Sequence, residues 1–566
     1  MSKIGTSARA LAGAAAIWAL AAASLATAAP AGLWHGGTII TMDGEQPRNV
    51  EAVVARDGRI TFAGAMARAR KAAGADAVDH DLKGATMLPG FVDAHSHFSM
   101  AMQVALGIDL GSARAPVGDN ASLIDAVREG IATRHFAPGD WVSVYNYNEA
   151  VLPGRQHITR AELDAAFPDY KLVLMHVSGH GVVANSAALA AAKITEDTPT
   201  PEGGVMLRDG AGKLNGVLFE KALMLMLPAV PRPGEARLLA ALDATQNYYA
   251  HFGYTHAQDG ASQQPDIQFL LTPAARAHLK LDLAALPHAA MFDWVLAHPE
   301  VKFGSYDGHL KLAGVKATFD GSPQARTGWF TRDYAQGAPD GKKPWHGQPV
   351  MSEAEVGAWA KAAHARGLQL FVHANGDAAI DATIRVFDAL GLKAGDNARP
   401  VVIHSQFMRP DHIAAYARIG VSPAFFTNHT FFFADTHRLN FPAEVVDFIS
   451  PMQAARKAGL VVSNHSDFPV TGLDPFVQLW SSMARVSPSG VVSGADQRLT
   501  VYQALQALTT GPAFQVFEEG RKGRIKAGLL ADFVVLDKNP LATPLDQIRS
   551  IKVLETVKEG QTIWKK

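Results

Sequence analysis

Between residues 33 and 88, apolar and polar positions alternate in short runs, the pattern of strands with one face buried. Residues 37–42, 50–54 and 59–63 form three such runs, and Asp57-Gly58 separates the last two as a hairpin turn would. The far C-terminus has the same character over residues 532–536, 551–557 and 561–564, with Glu559-Gly560 at its last turn. Two β-rich ends around a different middle predict a small β-sandwich built from both termini, residues 29–88 and 511–566.

In the middle, apolar runs of strand length alternate with Ala-rich helical stretches such as residues 353–366 and 410–419, the pattern of βα units around a parallel sheet. Eight strands are expected, ending near His97, Asp259, Ala285, Lys316 to Phe319, His373, His404, Phe426 and Asp467. That number predicts an α/β fold, a TIM (β/α)8 barrel over residues 89–510, with its chemistry at the C-terminal ends of the strands. The first and second strands are separated by far more chain than a βα connection needs, so a large insertion is expected at about residues 110–250. Emerging at the catalytic face, it would cover the site and shape substrate choice.

Composition narrows the classes. With 48% hydrophobic and 19% charged residues, the 566-residue chain can bury a large core. Its 52 basic and 53 acidic residues leave no basic excess of the kind a nucleic-acid footprint requires. There is no cysteine, so disulfides and thiolate metal sites are excluded, and any metal must be held by nitrogen and oxygen. Lys3 and Arg9, the apolar residues 11–25 and Ala26-Thr27-Ala28 read as a cleavable export signal over residues 1–28. A periplasmic protein without stable membrane association is expected; the oligomeric state, homo-oligomers included, stays open.

The motifs carry the chemistry. His95-Ser96-His97 ends an apolar run, and on a strand residues two apart share a face, so both imidazoles can reach one cation. His373 and His404 each directly follow an apolar run, and residues 460–467 end in Asp467. Singly, each is more often an ordinary core or surface residue. Four histidines and an aspartate at four strand ends are hard to explain as packing, and neutral imidazole with carboxylate suits Zn²⁺.

On these motifs the chain resembles the amidohydrolase superfamily, and most closely its family 3 branch, over almost its whole length after residue 28. The residues that carry the resemblance are 88–97 on the first strand, His373-Ala374-Asn375-Gly376-Asp377, His404-Ser405-Gln406, Ser466-Asp467-Phe468-Pro469-Val470, and the return through residues 523–532. The resemblance implies that His95, His97, His373, His404 and Asp467 bind one or two Zn²⁺ ions, with Asp467 also taking a proton from the attacking water. A bound Zn²⁺ lowers the pKa of water to about 7 and polarises a carbonyl. Lys316 falls where many members carry a carboxylated lysine bridging two metals; the alternative is a lysine paired with Asp320. A free ammonium cannot ligate a cation. His180, in a G-H segment followed by Asn185-Ser186, together with Glu220 and His429, matches family positions near substrate. Arg326 could hold an anionic group, and Phe425, Phe426, Phe431, Phe432 and Phe433 could wall an apolar pocket.

The expected function is therefore metal-dependent hydrolysis of a C–N bond, amide or N-acyl, in a small-molecule substrate. The same site would serve an esterase or lactonase. A secreted small-molecule or metal-binding protein without turnover is the remaining alternative, and Asp467 beside four histidines argues against it, because binding alone needs no positioned base.

Overall fold

The computed structural model describes residues 30–299 and 301–566; the export signal expected at residues 1–28 lies outside them. All eight barrel strands are present: β1 (Phe91–Val92), β2 (Tyr254–Ser262), β3 (Asp282–Pro287), β4 (Val315–Thr318), β5 (Leu370–Ala374), β6 (Val401–His404), β7 (Ser422–Phe425) and β8 (Ser463–Asn464). Every neighbouring pair within an arc runs parallel. The helices expected at residues 353–366 and 410–419 form over Glu353–His364 and Pro410–Ile419.

The strands make two arcs rather than the continuous ring expected. β1 to β3 pair on to Leu310–Leu312, whereas β4 to β8 form a separate sheet. Leu310–Leu312 runs into β4 through Ala313-Gly314, so the fourth strand position serves β3 with its first half and β5 with its second. A single parallel bridge, His288 with Lys316, joins the arcs at the top. At the opposite seam, Leu508 O accepts from Val92 N at 3.0 Å and Ala507 O accepts from Asn464 N at 2.9 Å. The seam opens because β1 and β8 are two residues long, the chain leaving the sheet to present its functional side chains. The architecture is thus TIM-barrel-like, with two seams among the described residues.

Both faces of the arcs are buried, which is why the strands read as continuous apolar runs. Within them the period is two. Ala284, Leu286, Phe371, Ile403 and Ala424 pack together on one face, while Leu283, Ala285, Val372, Val402 and Phe425 pack with the helix residues Val356, Trp359, Ile380 and Tyr416 on the other.

The two chain ends meet in one eight-stranded sheet, where Phe533–Leu536 lies antiparallel to Thr86–Pro89. Its Asn49–Arg56 and Arg59–Gly64 hairpin turns through Asp57 (φ 50) and Gly58 (φ 75), the two left-handed residues a type I′ turn requires. The insertion is a six-stranded sheet, in the order Gly204–Arg208, Leu214–Glu220, Gly181–Ala184, Lys171–His176, Trp141–Tyr147 and Ile108–Asp109, with apolar clusters of its own.

A buried ionic network ties the terminal sheet to the entry of the barrel strands. Asp282, first residue of β3, accepts from Lys522 and lies 3.2 Å from Lys558 and 2.8 Å from His309. Lys558 also pairs with Asp532 at 3.2 Å, and Lys311 with Glu518 at 2.6 Å. Breaking such a pair strands a buried charge at a cost of about 3–5 kcal/mol. Asp282→Ala should therefore lower the urea midpoint of unfolding substantially; an unchanged midpoint would mean that water already solvates these lysines.

Candidate active site

The C-terminal ends of the strands bring the expected donors together. Asp467 Oδ1 lies 3.3 Å from His95 Nε2 and 3.3 Å from His97 Nε2, and His404 Nε2 lies 3.0 Å from His373 Nδ1. Ligand atoms of His95, His404 and Asp467 all fall within 4.8 Å of one another. Two atoms each about 2.0–2.1 Å from one tetrahedral ion sit roughly 3.3 Å apart, so these separations are those of a shared cation. Asp467 Oδ1 and His404 Nδ1 are buried and complete no hydrogen bond within the protein. Nitrogen and oxygen donors of this kind, unpartnered and convergent, fit a divalent metal.

Surrounding groups set the orientation of these donors. Gln258 Oε1 accepts from His95 Nδ1 at 2.8 Å, which leaves Nε2 of His95 with its lone pair toward Asp467. Gly260 is required here, since a Cβ would run into the His95 ring. Burial first, then the Lys316 charge, drives His95 well below the ordinary imidazole range; burial first does the same to His373 and His404. All three are therefore neutral, the form that ligates. Backbone strain marks the same places: His404 (φ 71), Asp467 (φ 55) and Glu220 (φ 53) are all left-handed.

Lys316 is buried, with Nζ 3.0 Å from His95 Nε2, and it does not pair with Asp320. Asp320 instead accepts from the backbone N–H groups of Asn375 at 2.9 Å, Gly376 at 2.8 Å and Trp329 at 2.9 Å. Burial pushes the Lys316 ammonium down to about 8.

A small pocket of about 10 Å³ opens above the donors, lined by Ser178, His180, His373, His404, His429 and Asp467 among others. His180 Nδ1 is 2.9 Å from Glu220 Oε2, so Glu220 reaches the cavity through its partner. Burial alone would lower His180, but the Glu220 carboxylate outweighs it and raises the imidazole. His429 Nδ1 is 3.0 Å from His437 Nε2. Arg326 does not line the cavity; its guanidinium donates to Pro339 O at 3.2 Å. Of the five phenylalanines, Phe426 alone lines it, whereas Phe431 packs on Trp480 and Phe432 is exposed. A larger cleft of about 270 Å³ beside Phe330, Phe407 and Phe448 holds none of the convergent donors.

Sequence reasoning passed over His465, fully buried with both ring nitrogens unpartnered and its centroid 5.2 Å from His95 and 5.1 Å from His404. It stands two residues before Asp467, the spacing that singled out His95 and His97. Gln258 carried no signal of its own, because its partner His95 is distant in the chain, and Ser178 was legible only as part of the segment around His180.

The convergent donors make a candidate metal centre on a TIM-barrel-like frame. The amidohydrolase family matches residues 80–564, and the chain belongs to it. The Bacillus subtilis protein YtcJ, named as an amidohydrolase, is 29% identical over 557 residues, covering 94% of this chain and 99% of that one. The N-substituted formamide deformylase of Arthrobacter pascens is 26% identical over 525 residues, covering 90% of this chain and 94% of its own. In fold, a metal-dependent hydrolase from Pyrococcus horikoshii aligns with TM-score 0.73 and 22% identity, over 91% of this chain and 99% of that chain.

Replacing Gln258 by Leu removes the acceptor that fixes the His95 tautomer, and it should weaken metal affinity by about 10–100-fold. Competition with a chelator measures this, and unaltered affinity would separate Gln258 from the metal site.

Proposed function

We propose that the protein hydrolyses a C–N bond, of amide or N-acyl type, in a small molecule, using one or two Zn²⁺ ions. The observation that carries this reading is the convergence of His95, His97, His404 and Asp467, which supplies both ligands and a carboxylate at one point. His95, His97 and Asp467 would hold one ion, and His373 and His404 a second. The metal, when bound, supplies Lewis acidity toward the substrate carbonyl and a lowered pKa for water.

The protein's own groups do the rest. The Asp467 carboxylate receives the proton of the attacking water. As the new C–O bond forms and the C–N bond breaks, it returns that proton to the leaving nitrogen. Lys316, lowered toward the neutral amine by burial, is suited to carboxylation by CO2 with loss of one amine proton, and would then be a further residue holding the metal. The two arcs would act together as one (β/α)8 barrel carrying a sandwich-type terminal domain. Export to the periplasm rests on residues 1–28.

Turnover of N-substituted formamides, other N-acyl compounds and esters, before and after chelation, tests the bond class. Chelator-sensitive hydrolysis confined to esters would replace it with an esterase reading. Asp467→Ala should lower kcat by about 10²–10⁴-fold without lowering the melting temperature; activity within about tenfold of the parent removes its proton-transfer role. Lys316→Ala should halve a two-metal stoichiometry and regain part of its activity with added short carboxylic acids. Unaltered metal content without rescue would leave Lys316 an uncarboxylated neighbour of His95.

A further inference from the structure

The insertion sheet delivers a hydrogen-bonded chain to the cavity wall. Glu149 Oε2 lies 2.6 Å from His176 Nε2, and His176 Nδ1 lies 2.7 Å from Ser178 Oγ. The protons in this chain can be assigned. Burial alone would raise Glu149, but His176 outweighs it and holds the carboxyl down at about 2, so Glu149 is an acceptor and His176 Nε2 carries hydrogen. The backbone N–H of Ser178 donates to His176 Nδ1 at 3.1 Å, so that nitrogen is the bare one. At 2.7 Å from a bare nitrogen, the Ser178 hydroxyl must point its only proton there. Its oxygen also accepts from His180 N at 3.2 Å, and one lone pair is left for the cavity it lines.

Asn375, in the same lining, has its amide orientation set by a backbone carbonyl. Its Nδ2 donates to Gly321 O at 3.0 Å, and a flipped amide would set two oxygens against each other. Its Oδ1 is consequently an acceptor, buried and without a partner. The cavity therefore offers acceptors whose own protons are engaged elsewhere, and a buried acceptor left unmatched is costly.

We infer that Ser178 Oγ recognises the N–H of the scissile amide, so that N–H amides are substrates and N-alkyl amides and esters are discriminated against. This rests on the hydrolase reading above and narrows its substrate class. Ser178 is the specificity-determining group, and His176 and Glu149 position it by holding its proton. A site built to receive a substrate N–H rejects an analogue lacking it far more strongly than a pocket rejects a lost methylene.

The test offers the zinc-loaded full-length protein three matched compounds: N-benzylformamide, N-benzyl-N-methylformamide and benzyl formate. The N–H amide should exceed the N-methyl amide in kcat/KM by at least about 30-fold. In Ser178→Ala that ratio should collapse to within about threefold through loss on the N–H amide alone, and Ser178→Thr, which keeps a hydroxyl, should restore most of it. Equal rates on both amides in the parent protein, or an equal fall on all three compounds in Ser178→Ala, would overturn the inference and leave the hydrolase reading standing. Turnover of none of the three, nor of the wider N-acyl panel, with metal bound removes both.

Discussion

Several imidazoles buried side by side can coexist only uncharged, and the catalytic face is organised around that constraint. His95, His373, His404 and His429 are all driven well below the ordinary range by burial, and His465 is pushed down to about 3. Neutral rings crowded together present lone pairs that need a common partner, and water is largely kept out. Gln258 then decides which nitrogen of His95 is bare. Left-handed backbone at His404 and Asp467 costs roughly 1–3 kcal/mol each. The packed barrel beneath them holds residues in conformations that an isolated loop would relax.

Charge is treated differently at the two ends of the barrel strands. At the strand entries, Lys311, Lys522 and Lys558 are matched by Glu518, Asp282 and Asp532. At the strand exits, Asp467 faces imidazoles, and the buried Lys316 beside them is lowered to about 8. The first arrangement is complete as it stands. The second invites a ligand.

Much of this was legible in the sequence, for identifiable reasons. All eight strands were readable because burial on both faces makes them continuous apolar runs, and Asp57-Gly58 signalled its hairpin because few residue pairs accept two positive φ angles. The convergence of His95, His97, His373, His404 and Asp467 followed from their places at strand ends. The seams of the barrel were not readable, since pairing between arcs depends on where short strands leave the sheet. Arg326 was misdirected because an arginine's target is chosen by whatever carbonyl the fold brings near, here Pro339. The partner of Lys316 was likewise a matter of three dimensions: Asp320 is close in sequence but already saturated by backbone donors.

The insertion sheet keeps apolar clusters separate from those of the barrel. Ser178, His180 and Glu220 stand on that lobe, whereas the candidate metal donors stand on the barrel. Changes that reshape the wall facing the substrate can thus be absorbed by a core that does not support the metal centre. Such a division lets selectivity drift while the reaction chemistry is conserved, giving a family a route to many substrates from one inherited mechanism.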